Sequence, residues 1–456
     1  MREKLGSRLG FILLSAGCAI GIGNVWKFPW MVGQYGGAIF VLIYIFFLVV
    51  MGIPVMTMEF AMGRASQKSP AKMYQALEKK GSKWHLHGYL ALAGNIILMM
   101  FYTNVAGWML QYFFMTVTGK LSGLESAEVS AAFGGMLGDP LWQTVFMGII
   151  VLVGALVCMA GVKGGVERVT KVMMIALLVL MVVLAVNSIF LDGGSEGLKF
   201  YLVPNVENVK TVGLGNVVVG AMNQAFFTLS LGIGSMAIFG SYLGKDRALM
   251  GEAVNVAVLD TFVAFVSGLI IFPACYAYGV SPNAGPSLIF ETLPNVFGNM
   301  PLGRLWGSLF FAFMTFAALS TVIAVFENII ACLMDMTKLG RKTISLIVGV
   351  GIFILSLPCV LGYNLLSGFV PFAEGSAVLD LEDFLVSNIL LPAGSLIFVI
   401  FCVSRYGWGW KNFVAEANEG KGFKVAKWMR PYMTFILPIL ILVILVYGLV
   451  TFNYGI

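Results

Sequence analysis

The chain has 456 residues, of which 59% are hydrophobic and only 11% are charged. Apolar runs of about 20 residues, the length that crosses a bilayer, recur along the whole sequence. This composition indicates a polytopic membrane protein embedded in a lipid bilayer. The net charge of +6 is carried mainly by the loops between the apolar runs, so nucleic-acid binding is not expected.

The reactive side chains do not form an enzyme-like set. The two histidines, His85 and His87, leave little for a transition-metal site, and the sequence has no nucleophile–base pair and no phosphate-binding loop. An enzyme is therefore not expected. All the cysteines lie in or beside apolar segments without a CxxC pair, and we expect them to be small buried residues: Cys18, Cys158, Cys275, Cys332, Cys359 and Cys402.

Hydropathy predicts about eleven spans, and we number them in chain order. Their approximate limits are 10–36, 38–63, 87–118, 141–160, 167–191, 214–241, 252–278, 305–335, 342–361, 383–404 and 431–452.

The basic residues predict the orientation of these spans. If the N-terminus is cytoplasmic, 23 of the 28 lysines and arginines fall in inside segments. Those left outside are Lys27, Lys120, Lys199, Lys210 and Arg304. The sequence therefore predicts a multi-pass plasma-membrane protein with its N-terminus in the cytoplasm and, after eleven spans, its C-terminus outside.

Two of the spans contain glycines that a helix tolerates poorly. Residues 15–30 read Ser-Ala-Gly-Cys-Ala-Ile-Gly-Ile-Gly-Asn-Val-Trp-Lys-Phe-Pro-Trp, and residues 232–234 of span 6 repeat the Gly-Ile-Gly triplet. Each interior glycine costs a helix about 1 kcal/mol, and unwound backbone inside a membrane is tolerated only around a cavity or site. Paired interruptions of this kind are typical of the binding site of a secondary transporter.

The positions of the breaks also predict the domain organisation. Spans 1 and 6 are broken, so the repeating unit has five spans, and an odd number of spans inverts the second unit. We expect one all-α transporter domain over residues 1–456 with discontinuous helices 1 and 6. It would contain repeats at about 8–192 and 212–405 and an extra helix at about 430–452.

The sequence resembles the neurotransmitter:sodium symporter family, in its prokaryotic amino-acid-transporting branch, over essentially its whole length. Motifs in five segments carry the resemblance: 8–29, 59–64 (Glu-Phe-Ala-Met-Gly-Arg), 224–232 (Gln-Ala-Phe-Phe-Thr-Leu-Ser-Leu-Gly), 285–294 (Gly-Pro-Ser-Leu-Ile-Phe-Glu-Thr-Leu-Pro) and 316–327. The resemblance implies sodium-coupled import of an amino acid by alternating access. Two other functions stay open, a transporter-like sensor without flux and an ion channel.

A broken helix can meet both charged ends of an amino acid with its half-helix termini. The amides of Ile22 and Gly23 would face the carboxylate. The resemblance adds the Tyr102 hydroxyl for the carboxylate, and the carbonyls of Ala19, Phe227 and Thr228 with Ser230 for the ammonium. The expected side-chain pocket comprises Ile22, Leu98, Tyr102, Phe227, Ile233, Thr321 and Val325.

Two positions predict the class of substrate. Many relatives have an aromatic residue where this chain has Ile233, which favours a bulky aliphatic or aromatic side chain. Monoamine-transporting relatives have an aspartate at the position of Gly21. Without that carboxylate, the substrate is expected to be a neutral amino acid.

Sodium, a hard cation, prefers oxygen ligands, and the resemblance implies two sites. The first would use the Ala19 carbonyl, Asn24, Thr228 and Asp260, completed by the substrate carboxylate. The second would use the carbonyls of Gly17, Ile20 and Ala317 with the side chains of Ser320 and Thr321.

Asp260 departs from the family, which usually has asparagine there. Chloride-dependent relatives bind an anion nearby, whereas this chain has Ala264 in place of the serine of that site. Because Asp260 can supply the negative charge itself, transport without chloride is expected. The alternative is that Asp260 only pairs with another polar group.

Ion pairs would form the gates. Lys27 and Asp383 match the outer pair, with Asp380 and Glu382 as neighbouring candidates; Arg2 and Asp335, with Ser241 and Tyr242, match the inner one. We interpret Glu59 and Glu327 as buried structural carboxyl groups, with a proton relay as the alternative.

Span 5 departs from the branch in another way. Amino-acid transporters of this branch often have a glycine followed ten residues later by proline, which helps the inner half of the helix to unwind. Here Gly165 is followed by Ile175, so unwinding of this kind is in doubt.

Overall fold

The computed structural model describes residues 3–280, 288–337 and 339–450. These ranges are helical, contain no strand, and confirm the predicted all-α polytopic fold. Within these ranges, nine helices are long and apolar enough to cross a membrane: Ala38–Ser66, His85–Val117, Pro140–Met159, Val162–Ile189, Leu249–Ala277, Gly303–Met336, Arg341–Leu361, Val378–Val403 and Met429–Val450. They are spans 2 to 5 and 7 to 11.

Spans 1 and 6 are interrupted, as the glycines predicted. Span 1 consists of Arg8–Ala19 and Gly23–Gln34, which are bent by 58° at their junction. Span 6 consists of Leu214–Thr228 and Ser235–Gly240, with six non-helical residues between them. Each half is too short to cross a bilayer of about 30 Å on its own.

The spans pack as an inverted repeat requires. Spans 2 and 7, 3 and 8, and 4 and 9 are in contact, and each pair joins corresponding positions of the two halves. Spans 3 and 8 form the centre of the bundle. In the apolar 18-residue stretch of each, 72% and 78% of the residues are buried, whereas the value for span 11 is only 28%. The first half of span 1 packs against spans 7 and 8, so its break lies in the core of the bundle.

Short helices cap the bundle. Ser126–Gly138, Ser195–Leu202, Val206–Val212 and Leu293–Asn299 lie in the predicted outer segments, and Pro70–Leu77 and Trp410–Ala417 in the predicted inner ones. The six cysteines are buried and free of disulfides, as expected.

The buried side chain of Arg64 joins the predicted inner end of span 2 to the helix after span 10 and to the loop between spans 6 and 7. The Arg64 Nε lies 2.6 Å from Oε1 of Glu416, on the helix after span 10, and Arg64 also donates to the Glu416 carbonyl. Its Nη1 donates to the carbonyls of Gly244 and Arg247, between spans 6 and 7. The planar guanidinium therefore joins three segments that are far apart in sequence.

We expect Arg64→Lys to destabilise the protein by about 3 kcal/mol or more, because lysine keeps the charge but cannot reproduce the fork of donors inside a buried ion pair. Thermal unfolding in detergent measures the change. The matched control is Lys210→Met, which removes an exposed pair with Glu207 and should change little. Equal losses in both variants would contradict the role assigned to Arg64.

Candidate substrate and sodium site

The break in span 1 exposes a backbone amide to span 3. The helix ends at Ala19, and Ile20 has an extended backbone with φ −70° and ψ 105°. The freed N–H of Ile22 donates to the hydroxyl oxygen of Tyr102 at 3.1 Å. The structure thus brings together two groups that the sequence assigned to a substrate carboxylate.

Gly21 lies too close to its neighbours to carry a side chain. A Cβ atom there would lie 2.2 Å from the Tyr102 hydroxyl oxygen and 2.7 Å from Oγ1 of Thr321. An aspartate at this position would have to displace both groups. The geometry therefore agrees with a site that has no fixed carboxylate for a bare amine.

The break in span 6 uses left-handed backbone. Ser230, Gly232 and Gly234 have φ values of 50°, 99° and 73°, a region that favours glycine. A Cβ atom at Gly232 would lie 2.1 Å from the carbonyl oxygen of Leu391 in span 10. Both the turn and the close approach to span 10 therefore require glycine at position 232.

Two buried side chains satisfy the backbone freed by this second break. Glu59 of span 2 accepts from the amides of Gly232 at 2.6 Å and Met236 at 3.2 Å. Asn95 of span 3 donates to the carbonyl of Ile233 at 2.7 Å. Glu59 is thus a buried, hydrogen-bonded carboxyl group that holds the start of the second half-helix.

The predicted first sodium ligands form one buried cluster between spans 1, 6 and 7. Nδ2 of Asn24 lies 2.9 Å from Oγ1 of Thr228 and 2.8 Å from Oδ1 of Asp260. The Thr228 hydroxyl donates to Oδ2 of Asp260 at 3.1 Å, and Tyr44 approaches the same oxygen at 3.5 Å. Ala19, the other predicted ligand, is the last residue of the first half-helix. The side chains supply hard oxygen atoms of the kind that suits sodium, although Oδ1 of Asn24 faces the Gly21 amide at 3.1 Å.

The predicted second sodium ligands also converge. The Ser320 hydroxyl lies 3.0 Å from the Gly17 carbonyl oxygen and 2.9 Å from that of Ala317. The Thr321 hydroxyl lies 3.2 Å from the Gly17 oxygen and 3.3 Å from the Ile20 oxygen. Three carbonyls and two hydroxyls from spans 1 and 8 therefore meet at one buried point, an inventory that suits a hard cation.

A cavity of about 20 Å³ lies between the two breaks. This volume is about that of one water molecule, so an amino acid can enter only if the lining side chains move apart. Four lining residues were not among the predicted substrate residues: Cys18, Gly21, Val386 and Leu391. The predicted residues that line it are Ala19, Gly23, Leu98, Tyr102, Phe227, Ser230 and Thr321.

The other predicted pocket residues lie beside this cavity or away from it. Ile22 and Thr228 take part in the hydrogen bonds described above. Ile233 is buried against Gly94 of span 3, and Val325 is buried in span 8. Ile233 and Val325 are not among the residues that line the cavity in this conformation.

The predicted outer ion pair is not closed in this structure. The Lys27 ammonium lies 3.7 Å from the centre of the Phe227 ring, a cation–π contact. Asp383 accepts from the hydroxyl of Ser387 at 2.7 Å. Lys27 therefore contacts Phe227, which lines the cavity, rather than Asp383.

An aromatic cluster surrounds the segment that follows span 7. The segment Leu288–Thr292 belongs to the motif 285–294, of which residues 285–287 lie outside the described ranges. Its Phe290 ring lies 5.8 Å from Trp26, 5.8 Å from Trp108 and 5.0 Å from Tyr112. The Tyr112 hydroxyl also donates to the Phe290 carbonyl at 2.9 Å. The segment Leu288–Thr292 is thus fixed to spans 1 and 3.

The predicted inner-gate residues also have partners that the sequence did not indicate, and the pair of Arg2 with Asp335 stays a prediction. Arg2 lies outside the described residues. Asp335 accepts from the amide of Ser69 at 2.6 Å, and the Tyr242 hydroxyl donates to Glu327 at 2.5 Å. Arg341 pairs with Glu327 at 2.6 Å. The other predicted gate residue, Ser241, donates to the carbonyl of Ile238 at 2.6 Å.

Span 5 begins with a π-helical turn, Val162–Glu167, before the regular helix Arg168–Ile189. Glu167 accepts from the Gly6 amide at 2.7 Å and the Ser7 hydroxyl at 3.0 Å. The start of span 5 is therefore hydrogen-bonded to the segment that begins span 1. Ile175 lies inside the regular helix, eight residues after Glu167, where the irregular turn ends.

Sequence reasoning missed several residues that shape the site. Gln224 donates to the carbonyl of Gly23 at 2.9 Å, Asn95 holds the second break, and Tyr44 approaches Asp260. The available signal was the presence of polar side chains inside apolar spans, since such residues are costly there and mark functional sites.

The chain is similar to known transporters over nearly its whole length. The profile described as the Sodium:neurotransmitter symporter family matches residues 2–132 and 128–455. The chain is 36% identical to the uncharacterized sodium-dependent transporter YhdH of Bacillus subtilis (strain 168), covering 96% of both chains. It is 31% identical to an uncharacterized sodium-dependent transporter of Haemophilus influenzae, covering 98% of both. The crystal structure of MhsT in complex with L-phenylalanine is similar with a TM-score of 0.87 and 36% identity, over 98% of this chain and 100% of that one.

We expect Gly21→Ala to weaken binding of the predicted amino-acid substrate at least about tenfold, which corresponds to about 1.4 kcal/mol, because the added methyl group displaces the Tyr102 hydroxyl from the Ile22 amide. Binding of tritiated L-leucine and L-phenylalanine to purified protein measures the change. Gly134→Ala, on an outer helix with open space around it, is the matched control. Unchanged affinity in Gly21→Ala would contradict the assigned carboxylate site.

Proposed function

The chain belongs to the sodium:neurotransmitter symporter family, and from that membership we propose that it imports a neutral, bulky hydrophobic or aromatic amino acid together with sodium. The chain is a sodium-dependent, multi-pass membrane transporter and not an enzyme. One observation carries the choice of substrate. The Ile22 amide and the Tyr102 hydroxyl meet at the break in span 1, beside a cluster of oxygen atoms that suits sodium.

The carboxylate of the substrate would take the place where these two groups meet. A backbone N–H and a phenolic O–H are both donors, and each can hydrogen-bond to a carboxylate oxygen. Ser230 and the carbonyls at the end of the first half of span 6, those of Phe227 and Thr228, would accept from the ammonium. This assignment uses the positive and negative ends of half-helices for opposite charges.

Apolar side chains on the remaining walls support a hydrophobic substrate. Leu98, Phe227, Val386 and Leu391 line the cavity, and burial of apolar surface contributes about 25 cal/mol per Å². The similar transporter MhsT has been solved in complex with L-phenylalanine. The cavity must widen for such a side chain. Phe227, which lines the cavity and contacts the Lys27 ammonium, is the ring that we expect to move.

Two sodium ions would couple uptake to the ion gradient. The first ion would be held by the Ala19 carbonyl, Asn24, Thr228 and Asp260, and by the substrate carboxylate. Because ion and substrate share a ligand, binding of either favours the other by the same factor. The second would lie between the carbonyls of Gly17, Ile20 and Ala317 and the hydroxyls of Ser320 and Thr321, where it would join the first half of span 1 to span 8.

The charge of Asp260 supports transport without chloride. Asp260 is fully buried, and its carboxyl group contacts Asn24, Thr228 and Tyr44, none of which carries a positive charge. A bound cation would therefore find its countercharge in the protein itself. Ala264 leaves no hydroxyl one helical turn further along span 7.

Sodium-driven uptake of tritiated L-leucine into proteoliposomes tests the function. We expect uptake to saturate, to require a sodium gradient, and to be inhibited by excess L-tryptophan or L-phenylalanine but not by glycine, because only a large side chain fills the apolar walls. Tyr102→Phe should weaken uptake by removing one donor. Binding without accumulation would instead indicate a sensor, flux far above transporter turnover would indicate a channel, and preference for glycine would contradict the substrate class.

Replacement of chloride by gluconate tests the role of Asp260. We expect uptake by the unmodified protein to be unchanged, because the negative charge that balances sodium would be the Asp260 carboxylate of the protein itself. Asp260→Asn, which has the same shape without the charge, should lower uptake at least about tenfold in gluconate. A loss of uptake by the unmodified protein in gluconate would contradict chloride independence.

A further inference from the structure

The outer end of span 10 contains a buried carboxyl group that the transport site does not use. Glu382 lies between Asp380 and Asp383 in sequence, but only 5% of its surface is exposed. Its Oε2 atom has no hydrogen-bond partner among the described residues. A buried, unpaired carboxylate oxygen is unusual, because burial without a partner costs free energy.

Glu382 belongs to a small polar cluster between spans 3, 9 and 10. The thiol of Cys359, in span 9, lies beside the Glu382 carboxyl group, and span 9 contacts the start of span 10. Nδ2 of Asn104, in span 3, donates to Sγ of Cys359 at 3.5 Å. Asn104 and Cys359 are completely buried, and Oδ1 of Asn104 also lacks a partner. We call these three residues the Glu382 cluster.

No positive charge balances the Glu382 cluster in the described part of the chain. None of the ion pairs formed there includes Glu382. The titratable group that faces it from span 9 is Cys359, and span 3 contributes the uncharged Asn104. On its own helix, Asp380 accepts from the Ala377 amide and Asp383 from Ser387, and both add negative charge.

The Glu382 cluster contains too few hydrogen-bond donors for its acceptors. Its two unpaired atoms, Oε2 of Glu382 and Oδ1 of Asn104, are both acceptors. A protonated carboxyl group gains one O–H donor and loses its charge, so a single proton supplies a donor at Oε2 and removes the unbalanced charge. A carboxylate with one weak thiol donor would remain costly at this position.

We propose that Glu382 is a proton-binding site whose occupancy follows the packing of the outer end of span 10 against spans 3 and 9 and thereby regulates movement of that end. The carboxyl group holds its proton while span 10 packs against spans 3 and 9. When the outer end of span 10 moves away, water solvates Glu382, its O–H bond breaks, and the proton passes to external water or buffer. Asp383, the next residue and the predicted gate, moves with it.

The sign of the pH effect follows from linkage. Protonation stabilises only the closed arrangement, so acid favours closure and alkali favours opening. For transport, which rests on the function proposed above, uptake should rise with external pH by up to about tenfold per unit for one proton. Glu382→Gln, which mimics the neutral form, should remain at the low uptake of the unmodified protein in acid and lose the pH dependence.

Infrared spectroscopy tests the proton site without reference to transport. In the full-length protein in nanodiscs, the unmodified chain minus Glu382→Gln should show one band in the protonated-carboxyl region. Cys359→Ala should shift that band, because the thiol lies beside the same carboxyl group. Glu374→Gln, at an exposed glutamate before span 10, is the matched control and should leave the band unchanged.

Each outcome decides the proposal. A band lost in Glu382→Gln and shifted in Cys359→Ala supports it even if the protein transports nothing, which would contradict only the proposed function. Absence of the band, with loss of an ionised-carboxylate band instead, overturns it. A pH dependence of uptake that persists in Glu382→Gln overturns the link to movement of span 10. If Glu382→Gln does not fold, the band position in Cys359→Ala alone decides whether a protonated carboxyl group lies there.

Discussion

Unwound backbone inside a membrane has to find hydrogen-bond partners within the protein, and the whole site depends on how this chain supplies them. Spans 1 and 6 each leave the α-helix in the middle of the bundle. Glu59 accepts two amides of the second break, and Tyr102 accepts one amide of the first. The partners come from spans 2 and 3, so these neighbours determine where the breaks lie and which polar groups remain for ligands.

The two breaks are useful because they lie side by side. Asn24 follows the first break, Thr228 precedes the second, and Asp260 of span 7 hydrogen-bonds to both. Ser320 and Thr321 of span 8 meet the carbonyls of the first break from the opposite side. A rearrangement at the break in span 1 would therefore alter both oxygen clusters, which would couple the proposed ions to the proposed substrate.

Much of this arrangement could be predicted from the sequence because its signal is local. The Gly-Ile-Gly triplets predicted both breaks. In the structure, side chains that the resemblance named as sodium ligands lie beside these breaks: Thr228, Asp260, Ser320 and Thr321. Contacts between distant segments could not be predicted in this way. Nothing near Arg64 indicates Glu416 as its partner, and nothing near Lys27 indicates that it lies over Phe227 in this conformation rather than beside Asp383. Such pairings depend on how whole spans pack, and the gates also depend on the conformation adopted.

The central claim is that ion and substrate share one site at the paired breaks, and reciprocal binding tests it most directly. The affinity for L-phenylalanine is measured with and without sodium, and the affinity for sodium with and without L-phenylalanine. The account predicts that the two factors are equal, and that Thr228→Val, which removes a hydroxyl between Asn24 and Asp260, reduces both. Substrate binding that is independent of sodium, or coupling that is unchanged in Thr228→Val, would contradict it.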